Sequence, residues 1–393
     1  MFKNKEKFFE KTPVSEYLKS LNSLAFEGRM LVPLVALDDG YAQFNQAVLV
    51  LTKPSEGEIK AEIVEDVMPS LAKRGQHLHG VIGGTVNLYG TVDTTEEFTV
   101  HPHVSEPEDT RREDYPVSSL NLCLTHAALD RLGLAGEVCA VATGLPLEEF
   151  MDGENGTNSK LINKKVKNLK RPVYITNSDN PSAQIAFAGV YPEAIAGMVD
   201  YLIDEFGNYR EGIDPSLTRL AIDIGGNTTD LAIIHAGNVV GAKQTLKQGV
   251  KHVKDRLKQL LRKKFDHEPD DALLEQALKT KEISWFGGKS IGVAQEVDDA
   301  VNHVMGPVAK QIETFKGQFP SLREIVGFGG GVALMSESIK QQNPNIIIVE
   351  NPSGANARGF LKCSIIYNLD EIMDVVKTYL EEQKANATPV VAE

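Results

Sequence analysis

Asp223 and Asp230 bracket a turn made of Gly225, Gly226, Asn227, Thr228 and Thr229, with apolar β-formers from Leu220 to Ile224 and from Leu231 to Ile234. The pattern predicts a hairpin in which Asp223 ends one strand and Asp230 begins the next. Two adjacent glycines let backbone approach an anion closely and aim successive N–H groups at it, and the threonine hydroxyls add donors. A carboxylate at Asp223 can face phosphates only across a hydrated magnesium ion, so the chemistry expected is that of a magnesium-bound phosphate. A dinucleotide-binding glycine loop would lead straight into a helix, whereas here a strand follows. Taken alone, the same string also suits an ordinary surface hairpin.

A second copy of the plan lies upstream. Residues 34–49 run as an apolar strand, Asp38-Asp39-Gly40, a short turn of Tyr41, Ala42 and Gln43, and another apolar strand. Asp38 matches Asp223, Gly40 matches Gly225, and Asn45 falls where Asp230 stands. The chain reads as internally duplicated. A third cluster, Gly329-Gly330-Gly331-Val332, follows a strand and opens a helix, so backbone there can pass close to a ring or sugar with a helix N-terminus facing an anion. Glu193 follows Pro192 and precedes small residues, which reads as the first turn of a helix. A carboxylate at the depth of the glycine turns could orient an attacking water.

Elements must position these groups, and 393 residues exceed the usual span of one core, so two domains are expected. With 42% hydrophobic and 24% charged residues and no apolar run of membrane-spanning length, the chain reads as a globular protein. Met1 to Lys7 is mixed in charge and lacks the apolar core of a signal peptide, so a cytoplasmic location is expected. Cys123, Cys139 and Cys363 have no metal spacing and read as reduced, buried thiols. A net charge of −13 argues against direct nucleic-acid binding, and any contact with DNA is expected through a partner. The basic runs 160–171 and 251–264 read as solvated faces. His77, His79, His101 and His103 lack the acid or cysteine that would complete a familiar metal set.

Along the chain, Thr12-Pro13 opens a capped short helix, and residues 55–115 alternate short strands with turns, as a small inserted subdomain would. Ser118 to Leu132 reads as an amphipathic helix with Asn121, Cys123 and His126 as incidental members, and Glu148 to Lys170 as a loop leading into a short helix. Residues 205–218 have linker composition. Further helices are expected from Lys247 to Lys264, Asp270 to Thr280 and Val293 to Phe315, the last interrupted near Gly306-Pro307.

In this order, the Asp38-x-Gly40 turn, Thr143-Gly144-Leu145-Pro146-Leu147-Glu148-Glu149-Phe150 with its basic sequel, Pro192-Glu193-Ala194, the Asp223-x-Gly225-Gly226 turn, Gly329-Gly330-Gly331 and Asn356-Ala357-Arg358-Gly359 resemble the motifs of the actin, heat-shock-chaperone and sugar-kinase superfamily. Within it, the nearest resemblance is to the bacterial actin-like plasmid segregation proteins, the ParM or StbA family, over roughly residues 31–366. The resemblance implies an α/β actin-like ATPase fold of two duplicated domains with nucleotide in the cleft between them. The implied division is an N-terminal extension 1–30, domain I over 31–210, domain II over 211–366 with a helical subdomain near 250–320 and a terminal helix packing back on domain I, and a tail from 367 to 393.

It also implies ATP, with GTP possible, and a magnesium ion organised by Asp38 and Asp223. Glu193 would position the attacking water with help from Asp223. Gly40, Tyr41, Ala42 and Gln43 would hold phosphates from one side and Gly225, Gly226, Asn227 and Thr228 from the other, while Gly329, Gly330, Gly331 and Val332 would pack on adenosine. The family usually carries a β-phosphate lysine where this chain has Asn45, which donates a hydrogen bond without charge. The implied function is an ATPase whose head-to-tail filaments grow with ATP, fall apart after hydrolysis and move plasmid DNA through a DNA-binding adaptor on a centromere-like site, with no membrane involved. A small-metabolite kinase of the same superfamily and a non-dynamic filament are the alternatives. A chaperone ATPase fits less well, since only one helix follows residue 366.

Overall fold

A computed structural model of the chain describes residue 26 and residues 28–55, 59–76, 86–152, 156–176, 178, 181–235, 238–285 and 288–387. The helix expected at Thr12-Pro13, and His77 and His79, lie outside the described residues. The chain divides into two compact units, one containing the described residues up to 211 together with 356–387, the other residues 212–355.

The first unit comprises β1 (Gly28–Asp39), β2 (Gln43–Lys53), β3 (Lys60–Pro69), β4 (Ala72–Arg74), β5 (Leu88–Thr91), β6 (Glu97–Val100), α1 (Ser119–Arg131), β7 (Val138–Leu145), α2 (Leu147–Phe150), β8 (Met151–Asp152), β9 (Gly156–Thr157), α3 (Ser159–Leu169), β10 (Val173–Thr176), β11 (Gln184–Pro192) and α4 (Ile195–Leu202). The second comprises β12 (Thr218–Ile224), β13 (Thr229–His235), β14 (Asn238–Leu246), α5 (Val250–Phe265), α6 (Asp271–Thr280), β15 (Glu282–Trp285), β16 (Lys289–Gly292), α7 (Ala294–Gln318), β17 (Leu322–Phe328), α8 (Gly330–Gln342) and β18 (Ile346–Ile348). The chain then returns to the first unit with α9 (Ala355–Tyr367) and α10 (Leu369–Ala387).

The main sheet of the first unit runs β11-β7-β1-β2-β3 and that of the second β18-β17-β12-β13-β14, strand for strand the same order. In each, the hairpin (β1–β2, β12–β13) and the strand after it pair antiparallel, while the two strands on the far side join parallel. The registers coincide at the aspartates: Asp38 faces Asn45 across the first hairpin and Asp223 faces Asp230 across the second. The duplication therefore extends to single residues.

Strand periodicity of two explains the layering. Val35 and Leu37 of β1 enter a core cluster with Leu120, Leu124 and Ala128 of α1. Their neighbours Leu34 and Ala36 are fully buried outside that cluster, and α10 packs against β1, β7 and β11. In the second unit Leu220, Ile222 and Ile224 of β12 and Leu231 and Ile233 of β13 join one cluster with α5, α6, α7 and α8.

Three expectations are corrected. Instead of showing one wet face, α1 is buried at every position from Ser119 to Leu129, because a second sheet, β10-β5-β6-β4, covers the side away from β1. Helix α7 runs unbroken through Pro307, where the ring costs one backbone hydrogen bond while Val304, Met305 and Val308 stay in the core. Glu193 lies outside helix α4, one residue before its N-cap Ala194.

Candidate functional site

The hairpin β1–β2 ends in the turn Gly40 to Ala42, and each of its three carbonyls accepts a hydrogen bond from outside the turn. Ser70 Oγ donates to the Gly40 carbonyl at 2.7 Å, Thr110 Oγ1 to that of Tyr41 at 2.6 Å, and the Ser70 N–H to that of Ala42 at 3.0 Å. In a trans peptide the following N–H points opposite its carbonyl, so the amides of Tyr41, Ala42 and Gln43 are turned the other way. Successive amides left free in this way are the material of an anion-binding nest.

The turn of β12–β13 reaches the same result by other means. The Val250 N–H donates to the Gly225 carbonyl at 3.1 Å and the Lys251 N–H to that of Gly226 at 2.9 Å, so the first turn of α5 holds both carbonyls. The Gly225 N–H donates to the Thr228 carbonyl at 2.9 Å, and Thr229 Oγ1 donates to that of Gln248 at 2.8 Å. A Cβ at Gly249 would stand 2.7 Å from the carbonyl oxygens of both Gly225 and Gly226, so only glycine permits this approach. Asp223 is 5% exposed, and Asp230 accepts a hydrogen bond from Thr245 Oγ1.

The third glycine cluster closes on the second hairpin. Gly329 caps α8 at φ 91° and donates its N–H to the Pro352 carbonyl at 2.7 Å. A Cβ there would fall inside contact distance of Asp223 Oδ1 and 2.7 Å from the Ile224 carbonyl, and one at Gly331 would stand 2.8 Å from the same carbonyl. Val332 is fully buried, whereas Gly330 faces open space. Thus Asp223, the turn 225–228 and the start of α8 form one constellation within the second unit.

In the first unit the two adjacent aspartates take different roles. Asp39 is saturated: Lys165 Nζ donates to both of its oxygens at 2.9 Å, Thr143 Oγ1 to Oδ1 at 2.7 Å and Asn121 Nδ2 to Oδ2 at 2.6 Å. Lys165 spends its third proton on the Gly144 carbonyl at 2.6 Å. Asp38 accepts one hydrogen bond, from Asn45 Nδ2 at 3.1 Å, while Gln43 Nε2 donates to Asn45 Oδ1 at 2.9 Å. Asp38 keeps some surface open to solvent, yet protein packs round the carboxyl, and burial pushes it up to about 7. The Asn45 amide opposes that rise, the Asp39 charge adds to it and Lys165 opposes it.

Glu193 is presented by a strained turn. Its N–H continues the ladder to the Leu145 carbonyl at 2.9 Å, and Ala194 adopts φ 61°, ψ −43° with the Ile195 N–H returning to the Glu193 carbonyl at 2.6 Å. This is the rare γ-turn, and it sets Glu193 just past the end of β11. Burial, then the charges of Glu149, Glu193 and Asp39, push the Tyr41 hydroxyl up to about 12, so Glu193 and the first turn share one neighbourhood.

Helix α9 abuts the same region. Gly359 packs on the backbone of Ala196 in α4 with no room for a Cβ, and the ring of Phe360 fills the notch left by the missing side chain of Gly144. Arg358 and Lys362 fix the helix to Asp200, at 2.7 and 2.6 Å, and Arg358 also holds Glu65 at 2.7 Å.

Sequence reasoning missed Lys165, Asn121, Thr143, Ser70 and Thr110. Lys165 was read into a solvated basic face and Asn121 as incidental; Lys165 is 1% exposed and Asn121 is fully buried. The signal for Lys165 was its spacing, one turn from Leu161, Ile162 and Leu169 on the apolar stripe of α3. The His101 and His103 rings lie 5.2 Å apart, tilted by 58°, and among the described residues no group of three or more His, Cys, Asp or Glu is placed to hold a metal. One or two carboxylates plus phosphates and water suffice for magnesium, and each hairpin offers an aspartate at its turn. The three cysteines are free and buried, and among the described residues no helix is long and apolar enough to cross a membrane.

Residues 35–202 match the family model of the plasmid segregation protein ParM, N-terminal, and residues 221–341 match that of the archaeal actin homologue MreB-like, C-terminal. Solved structures share the fold. An archaeal actin homologue, Ta0583, in complex with ADP is 16% identical with a TM-score of 0.61, over 84% of this chain and 98% of its own. The ParM of a 15-stranded filament from Clostridium botulinum is 17% identical with a TM-score of 0.62, over 86% and 99%. The actin-like protein Alp7A is 14% identical with a TM-score of 0.63, over 90% and 99%. No curated protein matches the chain.

Proposed function

The chain is an actin-like protein of the ParM type, and from that premise we propose that it binds and hydrolyses a magnesium-bound nucleoside triphosphate, ATP or GTP, and assembles with copies of itself into filaments. The observation that carries this is the pair of turns whose carbonyls are tied back, by Ser70 and Thr110 in one unit and by the start of α5 in the other. The amides after Gly40, Tyr41 and Ala42 and those after Gly225 and Gly226 take the phosphates, with Asn227 and Thr228 completing the second turn. Gly329 to Val332 take the nucleoside side.

Asp38 and Asp223 are the residues that would hold a magnesium ion, which would neutralise phosphate charge. Asp39 serves the scaffold, because its lone pairs are spent on Lys165, Thr143 and Asn121. Glu193 orients the attacking water and Asp223 assists. Phosphoryl transfer depends on positioning and charge neutralisation, which these groups supply without covalent chemistry. A head-to-tail contact that does not close into a ring yields a filament. Cycles of growth and loss, linked to plasmid DNA through an adaptor at a centromere-like site, give the reading its cellular purpose. The ADP complex of the archaeal homologue and the ParM filament support nucleotide binding and assembly by analogy of fold.

The test is light scattering after addition of magnesium ATP, with phosphate release followed in the same sample and Glu193→Ala beside it. The expected result is scattering that rises and decays with phosphate in the wild type, and rises without decay in the variant, whose hydrolysis falls at least about 100-fold. Phosphate release without scattering at any concentration would sink the filament and favour a metabolite kinase. Polymer that outlasts the ATP would leave a static filament.

A further inference from the structure

Between the start of α5 and the middle of α7 lies a second cavity, of about 330 Å³, that the nucleotide reading does not use. Its walls carry Lys247, His252 and Arg256 from one side and His303 from the other, with Asp255 as the one acid. Of the other cations of α5, Lys254 pairs with Glu275 at 2.8 Å, Lys258 with Glu268 at 2.6 Å, Arg262 with Glu268 at 3.8 Å and Lys264 with Glu296 at 2.8 Å, while Lys251 and Lys263 are exposed. Among the described residues no ion pair engages Lys247 or Arg256, and Arg256 Nε and His252 Nδ1, on two of the lining side chains, are buried with no hydrogen-bond partner. His252 and Arg256 lie one turn apart on one helix face, and so do His303 and Pro307. Pro307 has no N–H to give the His303 carbonyl, which leaves an acceptor beside the basic groups.

A cavity of this volume suits a small molecule, and its excess of unpaired donors suits an anion. We propose that it binds a phosphate-bearing small molecule and that its occupancy is coupled to the second phosphate turn. The route for coupling is short. Lys247, His252 and Arg256 flank the segment whose N–H groups, at Val250 and Lys251, hold the carbonyls of Gly225 and Gly226. Gly249 leaves no slack between that segment and the turn. An anion that fixes the start of α5 therefore fixes the nest, and by reciprocity nucleotide in the nest alters the affinity for the anion. The coupling rests on the nucleotide reading above; the anion site does not.

The test uses the full chain with inorganic phosphate as probe, followed by ³¹P line width in the presence of saturating magnesium ADP, which fills the turns. Arg256→Gln and the double variant His252→Gln/Arg256→Gln are compared with Lys254→Gln, whose charge is already paired. The expected result is phosphate binding that weakens about tenfold or more in the first two and not in the third. In the wild type alone, phosphate should shift ADP affinity severalfold. Circular dichroism melting of each variant separates loss of binding from loss of fold. Phosphate that binds Arg256→Gln as well as wild type, or that saturating ADP removes completely, would overturn the site. Assembly altered by Arg256→Gln with no phosphate bound by wild type would also overturn it, and would assign the basic wall to a second copy's acidic side chain. If ADP itself does not bind, the nucleotide reading fails while the phosphate titration still decides the cavity.

Discussion

Lys165 and Asp39 form a buried ion pair, with the ammonium 2.9 Å from each carboxylate oxygen and side-chain exposures of 2% and 7%. Nothing in the local sequence joins these two residues, which are 126 positions apart. Asp39 immediately precedes the turn that begins at Gly40.

Lys165→Met leaves the Asp39 charge buried beside Asp38. Removing one partner of a buried pair costs about 3–5 kcal/mol, so a comparable loss is expected in urea unfolding of the nucleotide-free protein. Adding Asp39→Asn should return most of it. A loss below about 1 kcal/mol in the single variant would show that water reaches the pair.

The glycines divide into those that need a bare Cα and those that do not. Gly329→Ala puts a methyl against Asp223 at a φ of 91°, whereas Gly317→Ala on α7 meets open space away from the turns. Nucleotide binding, read with a fluorescent analogue, should weaken more than about tenfold in the first and change little in the second. Equal affinities would separate the α8 start from the nucleotide.

Ser70→Ala and Thr110→Val each remove one hydrogen bond that holds a turn carbonyl back. Each should cost about 1 kcal/mol of stability and weaken nucleotide binding severalfold, with the double variant worse than either. Unchanged affinity in the double variant would mean that the turn keeps its shape unaided.

His126 gives a pH signature. Burial lowers it to about 4 from an ordinary 6.5, and neither ring nitrogen has a hydrogen-bond partner among the described residues. Between those values the unfolded chain binds the extra proton and the folded chain does not, so stability falls as pH drops from about 6.5 toward about 4, by about 3 kcal/mol in all. His126→Leu should unfold with a flatter acid limb and with no penalty at pH 8. Parallel acid limbs for wild type and variant would show that His126 charges inside the fold.

Both hairpins, their equivalence and the glycine start of α8 were legible because turn chemistry and strand alternation are local. Asp38 opposite Asn45 and Asp223 opposite Asp230 could be matched by counting from the glycines. What holds the turns was not legible. Ser70 lies 30 residues from Gly40 and Thr110 lies 69 from Tyr41, contacts that only the completed sheet creates. Glu193 was placed in a helix because Pro192 usually opens one. Here Pro192 ends β11, and the γ-turn at Ala194 intervenes. The charge of Lys165 hid its position on an apolar stripe, and a lysine there signals a buried acid partner.

Phe360 in the notch of Gly144 sets a mechanical consequence. It lies five residues beyond Ala355, where the chain re-enters the first unit, and the peptide it presses on is the one whose carbonyl anchors Lys165. From α9 a run of contacts thus leads through a ring, a carbonyl and an ammonium to Asp39. A change in how α9 packs would therefore be felt at the turn that follows Asp39.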